Sequence, residues 1–515
     1  MNSSKDLVIG IDSSTTACKA IAWDRKGAAV AEARQGYEMF SPQPNWQEQH
    51  AGHWWDALIA VLRSISAQVG AERVAALCIT NQRETFVPVD ETGHPLRNAI
   101  LWLDSRCRAQ LAVLDQRYGS DYIHDLTGKG PSTNQSLGKL MWLQTHEPAI
   151  VERAHKFVEP HAYLVFHLTG QWMTSLACAD PMGTVDMRQG TWAVDLLRDL
   201  SLPPEKFVTI VPPGSVIGTL TNEAAALTGL SAETLVVAGA GDGQCAGLGA
   251  NITAPGRAYL NLGTAVVSGT HSEDYVMDRA FRTLCSPVAG AFVPEEVLSA
   301  GTFIVSWFRE NFAPDVSGLN LPVSPEEVME LAASKLPPGS LGLMVVPYWK
   351  GVLSPYWDPA ATGLTVGWTG AHRKEHFYRA ILEGIAYEHR MAMDGISQAT
   401  GEAIDEFSLM GGGSRSALWC QIVADVTGKN VTRASTAEAT SLGAGILAAT
   451  AAGWYSDVRE AASAMTSTER AFAPDPATHA IYDRLYHEVY RGLFPAVQAY
   501  VDRLTALTYD QQSPD

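Results

Sequence analysis

The sequence predicts an α/β fold divided into two halves, and three features carry that prediction. Short apolar runs of strand type recur through the chain with amphipathic, helix-length stretches between them, which suits strands joined by helices rather than an all-α or all-β chain. Each half also opens with the same figure: an apolar run, a turn of glycine and hydroxyl residues, and a second apolar run. Finally, Pro255 and Gly256 punctuate the chain just before the second of these figures, so a seam between residues 252 and 253 divides a first lobe, 1–252, from a second, 253–515.

The first figure reads Leu7-Val-Ile-Gly-Ile-Asp12-Ser13-Ser14-Thr15-Thr16-Ala-Cys-Lys19-Ala-Ile-Ala-Trp-Asp24. It predicts strands over Leu7 to Ile11 and Lys19 to Trp23, joined by a turn that begins at a carboxylate. Backbone N–H groups and hydroxyls from Ser13 to Thr16, with Lys19 behind them, suit phosphoryl oxygens, and Asp12 is placed to approach a magnesium ion. A plain hydroxyl-rich turn is the other reading. His50, His53, Trp54 and Trp55 read as a helix start and its packing face. A third strand is expected over Arg73 to Thr80, followed by Asn81-Gln82-Arg83-Glu84-Thr85 and then Leu101-Trp102-Leu-Asp104-Ser-Arg106. These side chains suit a polyhydroxylated ligand: Arg83 donates, Glu84 and Asp104 accept, and Trp102 covers a C–H face. A surface ion pair beside a core indole is the alternative. A helical region is expected from about Lys139.

Near the end of the first half, Leu235-Val-Val-Ala-Gly239-Ala-Gly241-Asp242-Gly243-Gln244 runs from a strand into glycines and one acid, and a small-residue helix follows. A lone Asp at the carboxyl end of a strand is well placed to take a proton from a substrate hydroxyl, because ligands of open α/β sheets bind there. The competing reading makes Asp242 a helix cap. In the second half, Arg257 to Leu262, Ala265 to Thr270 and Phe407 to Met410 read as strands, and Ser416 to Thr427 and Thr440 to Ala452 as helices. Gly263-Thr264-Ala265 repeats the first turn. Gly411-Gly412-Gly413-Ser414-Arg415-Ser416 puts three glycines between a strand and a helix, where a charged or flat ligand can lie against the backbone. The spacing is neither the dinucleotide fingerprint nor a Walker loop.

Composition narrows the function classes. With 46% hydrophobic and 18% charged residues the chain has the makings of substantial cores, and no apolar stretch is long enough to span a bilayer. The net charge of −18 disfavours nucleic acid as a partner, and an anionic nucleotide substrate would need local cations or magnesium to reverse that field. Seven scattered cysteines form neither a disulfide framework nor a zinc cluster. The start, Met-Asn-Ser-Ser-Lys, carries no secretory leader, so a cytoplasmic protein is expected.

Taken in order, these motifs resemble the FGGY family of carbohydrate kinases over nearly the whole chain. Lys139-Leu-Met-Trp142-Leu-Gln-Thr-His resembles the first family signature, with Asn134 and Gln135 where that pattern usually starts on an aromatic or small residue. Gly363-Leu-Thr-Val-Gly367 followed by His376-Phe-Tyr-Arg-Ala-Ile-Leu-Glu383-Gly384 resembles the second, with Trp368 unusual in it. The resemblance implies two actin-like, ribonuclease-H-like ATPase lobes around a central cleft, the first holding sugar and the second ATP. It implies Asp242 as the general base, and Asp12 with Asp242 as the carboxylates at Mg2+. Ser13, Thr15, Thr16 and Lys19 would form the first phosphate hairpin, and Gly263 and Thr264 the second. Gly411, Gly412, Gly413 and Ser416 would form the adenosine loop, with Gly301 and Ser306 on the adenine side. Sugar is expected against Arg83, Glu84, Trp102, Asp104, Asn134, Gln135, Asp242 and Gln244.

The reaction so implied is transfer of the γ-phosphate of ATP to a small sugar or polyol. Arg83, Glu84 and Trp102 are worded as in the glycerol kinase branch, but the aromatics that close the glycerol pocket are missing at 134, 135, 266 and 267. A ketopentose such as xylulose, or a four- to five-carbon polyol, is therefore the expected substrate, with glycerol as the alternative. A non-catalytic actin-like sugar sensor is the reading from another class, and the presence of both Asp12 and Asp242 speaks against it. Family members are often dimers or tetramers, which sets a homodimer or homotetramer as the expectation.

Overall fold

The structure, a computed structural model, describes residues 5–314, 324–358 and 360–509. The first sheet is built from β1 (Leu7–Ser13), β2 (Ala17–Trp23), β3 (Ala29–Gly36), β4 (Val74–Asn81), β5 (Val216–Thr219) and β6 (Leu235–Val237). Its strand order is β5-β6-β4-β1-β2-β3. The β1-β2-β3 meander is antiparallel, whereas β4 and β6 join in parallel. The alternation of β1 explains why it is apolar throughout. Leu7, Ile9 and Ile11 pack with Trp54, Leu58, Leu62 and Ile65 of α1 (Ala51–Val69), while Val8 points to the opposite face and a different core. His50 is the N-cap residue of α1, as its place in the sequence implied.

Also in the first half are α2 (Ser136–His146), α3 (Pro160–Thr169) and α4 (Asp242–Gly249). The second sheet uses β7 (Arg257–Leu262), β8 (Val266–Thr270), β9 (Arg282–Cys285), β10 (Phe292–Leu298), β11 (Glu406–Met410), β12 (Asn430–Ala434) and β13 (Thr468–Phe472). Its order is β9-β10-β8-β7-β11-β12-β13. The run β10-β8-β7-β11-β12 repeats β3-β2-β1-β4-β6 of the first lobe, down to which neighbours are parallel. This internal repeat is the two-lobed α/β architecture that the paired hairpins predicted. Around this sheet lie α5 (Gly301–Phe312), α6 (Lys374–Thr400), α7 (Ala417–Thr427) and α8 (Ala439–Ala451). Leu260, Phe407, Leu409 and Val431 pack with Ile381 and Ile385 of α6 and Ile422 and Val423 of α7.

The seam at 252/253 separates the sheets but not the cores. Helix α8 belongs to the second half by sequence, yet its Leu442, Ile446 and Leu447 pack with Val8, Ile21, Trp23 and Cys78 beneath the first sheet. Ser441 Oγ donates to the Gly10 carbonyl at 2.9 Å and accepts from Trp23 Nε1 at 3.2 Å. Glycines let α8 and α4 approach backbone to backbone: a β-carbon on Gly443 would stand 2.0 Å from the Cys245 carbonyl oxygen, and one on Gly249 1.9 Å from that of Ala439. The two lobes are thus joined through a pair of touching helices at the floor of the cleft.

Candidate active site

The first hairpin presents its charges on one face. Its register pairs Asp12 with Lys19 and Ser13 with Cys18, so Asp12 and Lys19 share a side and Ser13 takes the other. Asp12 Oδ1 is buried and has no hydrogen-bond partner. Burial, then the neighbouring carboxylates of Asp242 and Glu438, push the Asp12 carboxyl up to about 7 against the opposing pull of Lys19. Two sequence expectations change here. Lys19 Nζ lies 2.7 Å from Glu438 and 3.5 Å from Glu32, so its charge is already shared by two acids and not held free for phosphate. Ser13 is fully buried beside Tyr37, so its hydroxyl does not face the cleft. Thr15 and Thr16 remain at the tip, half-buried and exposed.

Strands β4 and β6 end side by side, and an Asn81–Gly241 bridge extends their pairing into the turn before α4. That turn is pinned twice: Gly239 N donates to His161 Nε2 at 3.1 Å, and Gly241 N donates to the Ala177 carbonyl at 3.0 Å. Asp242 is the first residue of α4, its Oδ1 accepting from Gly243 N at 2.8 Å and lying 3.0 Å from Arg83 Nε. Its side chain is 40% exposed while Arg83 is only 8% exposed, so the carboxylate is open to solvent and its guanidinium partner is buried beneath it. The surrounding protein desolvates Asp242 and raises its pKa, with Arg83 pulling the other way. Arg83 stays firmly charged, because Glu295, Asp242 and Glu84 outweigh the cost of its burial.

The pairs around Arg83 cross between lobes. Arg83 Nη1 donates to both oxygens of Glu295 on β10, at 2.9 and 3.0 Å. Arg282 on β9 donates to Glu295 Oε1 through Nε and Nη2 and to Glu84 Oε1 through Nη1 at 2.8 Å. Burial alone would raise the Glu295 carboxyl, yet Arg83 and Arg282 bring it below its usual range. Glu295 and Arg282 were missed in the sequence. The available signal was an acid pair inside the apolar run Phe292-Val-Pro-Glu-Glu-Val-Leu, since buried charges in a strand require partners.

Three expected sugar contacts are turned to other uses. Asp104 is fully buried, and it accepts from Gln47 N and from Arg106 N, Nε and Nη2; it anchors Arg106 between Trp46 and Trp142. Gln135 spends its amide on Ser132 N at 2.7 Å and the Gly130 carbonyl at 3.1 Å, folding back on its own loop. Gln244 is buried under the site, donating to the Ala177 carbonyl at 2.9 Å. Asn134 is half-buried just before α2. Trp102 stays beside the hairpin, its Nε1 donating to Thr15 Oγ1 at 2.9 Å.

On the second lobe, the parallel pairing of β7 with β11 sets the Gly263-Thr264-Ala265 turn against the glycine loop. Gly411 has φ +80°, and a β-carbon there would stand 2.4 Å from Asn261 Oδ1, so both the conformation and the close approach require glycine. Gly412 is exposed beside it. Ser416 and Gly301 depart from their expected nucleotide contacts. The Ser416 hydroxyl caps α7 by accepting from Trp419 N at 3.0 Å and donates to Glu330 at 2.8 Å. Gly301 is buried where α5 begins, and the next two residues donate to the Gly263 and Thr264 carbonyls. Ser306 is half-buried one turn further along α5.

A hard divalent cation fits the buried, unpartnered Asp12 Oδ1 with Asp242 nearby, because such ions take carboxylate oxygens and relieve like-charge repulsion. A second set, Glu159, His161 and Cys178, brings ligand atoms within 4.8 Å of one another. It suits no metal, since His161 Nε2 is already committed to Gly239 N and Nδ1 meets Thr174 Oγ1 at 3.2 Å; it supports the Asp242 turn instead.

Comparison with known proteins identifies the family and agrees with the fold. The family model described as the FGGY family of carbohydrate kinases, N-terminal domain, matches residues 7–249, and that of the C-terminal domain matches 258–452. A xylulose kinase from Bacillus subtilis (strain 168) is 27% identical over 491 residues, 95% of this chain and 96% of its own. A glycerol kinase from Thermococcus kodakarensis is 28% identical over 502 residues, 96% of each chain. The crystal structure of xylulose kinase from Rhodospirillum rubrum superposes with a TM-score of 0.87 at 29% identity, covering 96% of this chain and 99% of the other. With both family domains matched in order across two lobes of repeated strand order, the chain belongs to the FGGY family of carbohydrate kinases and is an ATP-dependent phosphotransferase acting on an alcohol group.

Proposed function

We propose that this kinase phosphorylates a neutral ketopentose of the xylulose type, with Asp242 as general base. The observation that carries the proposal is the placement of Asp242: accessible in the cleft, gripped by Arg83 at 3.0 Å, and close enough to Asp12 for their charges to interact. Asp242 accepts the proton of the sugar hydroxyl as its oxygen attacks the γ-phosphorus, and Arg83 keeps the carboxylate aimed while doing so. Thr15 and Thr16, with the backbone of Gly263 and Thr264, donate to the phosphoryl oxygens. Gly411 to Gly413 take the adenosine. Asp12 and Asp242 would hold magnesium, which would supply neutralisation of phosphate charge when bound. Arg83–Glu295 and Arg282–Glu84 tie the lobes together over the sugar, so closure excludes water that would otherwise hydrolyse ATP.

Charge balance argues for a neutral substrate. The two guanidinium groups of Arg83 and Arg282 face the three carboxylates of Glu84, Asp242 and Glu295, so a sugar acid would meet no unmatched cation. Against glycerol stands the lack of aromatic closure: position 135 carries an amide turned onto its own loop, and 267 a partly buried valine. All seven cysteines are free and buried, and among the described residues no helix is long and apolar enough to cross a membrane, which supports the cytoplasm as its place of action. A coupled assay with ATP and glycerol, erythritol, D- and L-xylulose, ribulose and gluconate tests the reading. Ketopentose turnover with gluconate silent is expected; robust glycerol turnover with silent ketoses overturns the substrate assignment.

A further inference from the structure

Five residues close a ring of hydrogen bonds between the sugar segment and the phosphate hairpin. Gln49 Nε2 donates to the Thr15 carbonyl, and Gln49 Oε1 accepts from Gln82 Nε2 at 3.1 Å. Gln82 Oε1 accepts from Thr85 Oγ1 at 3.2 Å, and Thr85 Oγ1 accepts from Trp102 N at 3.1 Å. Trp102 Nε1 then donates to Thr15 Oγ1 at 2.9 Å and closes the circuit. Gln49, Gln82 and Thr85 are at most 1% exposed, and Trp54 Nε1 adds a further bond to Gln49 Oε1 at 3.0 Å, so the ring is a fixed internal scaffold and not a surface arrangement.

The consequence lies in the direction of one proton. A threonine hydroxyl has a single O–H to give and two lone pairs to receive. With the indole N–H filling a lone pair and the Thr15 carbonyl already taken by Gln49, the Thr15 O–H is left over as a donor, beside the backbone N–H of the same residue. Among the described residues no acceptor takes it. Thr15 sits half-buried at the tip of the hairpin, where a phosphoryl oxygen would be the matching acceptor, and donation into its oxygen strengthens the bond it then makes.

We infer that Trp102 is a positioning residue for phosphoryl transfer, setting the Thr15 hydroxyl toward the transferred phosphate through its indole N–H, beyond any cover it gives the sugar. This rests on the sugar-kinase reading above. It also means that the sugar segment and the phosphate hairpin are held as one unit, so that sugar bound against Arg83 and Glu84 and phosphate bound at Thr15 share a frame.

The test is a double-mutant cycle of Trp102→Phe and Thr15→Val. Each single change should lower kcat about tenfold with the KM for sugar unchanged, and the double variant should be no worse than either alone. Where Trp102→Phe folds poorly, replacing Trp102 by benzothienylalanine, which keeps the ring's size and exchanges N–H for sulfur, should give the same tenfold loss of kcat. Additive losses, an unchanged kcat in the Trp102 variants, or a rise confined to the sugar KM would overturn the inference. Asp242→Asn run alongside separates the two claims: if it retains activity the proposed base fails, whereas an additive cycle beside an inactive Asp242→Asn removes only the positioning role.

Discussion

The two lobes repeat one strand order but equip their hairpins in opposite ways. The β1–β2 hairpin carries Asp12 and Lys19 and has Asp242 and Glu438 for neighbours, so its surroundings are charged. The β7–β8 turn, Gly263-Thr264-Ala265, holds no charge, and its neighbour Gly411-Gly412-Gly413 offers only backbone. One scaffold therefore yields two kinds of turn: one set among charged groups that must be desolvated and paired, and one of amides with an open, side-chain-free approach. Arg83–Glu295 and Arg282–Glu84 then bolt the charged half to the neutral one.

The contrast can be broken from the charged side first. Asp242→Asn should cost about 10³-fold in kcat while leaving ATP affinity by calorimetry close to that of the parent protein. Asp12→Asn should cost about 10²-fold and raise the magnesium concentration needed for half-maximal rate. If neither variant is impaired more than glycine-loop variants are, the division between a charged and a neutral half is wrong. Severing the bolt with Arg83→Met leaves Glu295 and Asp242 partly unpaired, and chemical denaturation should show a loss of ~3 kcal/mol together with weaker sugar binding.

On the neutral side the effects shrink. Gly411→Ala forces a β-carbon into a left-handed position against Asn261, so the KM for ATP should rise several-fold while the sugar KM stays put, and local strain should cost about 1–3 kcal/mol. The smallest effect sharpens a likeness between the lobes. Asp12 aside, each buries a carboxyl that burial pushes up to about 7, Glu159 in the first and Glu388 in the second, the latter accepting from Tyr348 and Tyr490. A folded-state pKa above the unfolded value means the native protein holds that proton more tightly. The associated stability is present at low pH and is lost as pH rises toward about 7. Melting temperature should therefore fall between roughly pH 5 and pH 8, and Glu388→Gln should flatten part of that slope.

Much of this was legible in the sequence because it rests on local pattern. Strand alternation from Leu7 to Ile11, the glycines around Asp242 and the repeated hairpin each follow from backbone geometry that neighbouring residues fix. The helix bounds shifted only slightly, as where Ser416 proved to be the cap of α7 and not its first residue. What local pattern cannot show is which partner a polar side chain finds. Asp104, Gln135, Ser13 and Lys19 have the chemistry of a ligand site, yet Asp104 and Lys19 are claimed by residues distant in sequence, Gln135 by its own loop, and Ser13 is packed face-inward. Glu295 and Arg282 escaped notice for the converse reason, since their meaning appears only when the second lobe brings them to Arg83. β3 was overlooked because its exposed, polar edge lacks an apolar run.

Helix α8 has a consequence for how the molecule can be made. Without it, the underside of the first sheet, with Val8, Ile21 and Trp23, meets water, so a fragment ending at residue 252 carries a bare apolar floor. Such a fragment should be recovered as aggregate, and supplying residues 253–515 in trans should restore a soluble pair. The repeated strand order therefore does not make two self-sufficient domains, because the second half supplies the helix that covers the first.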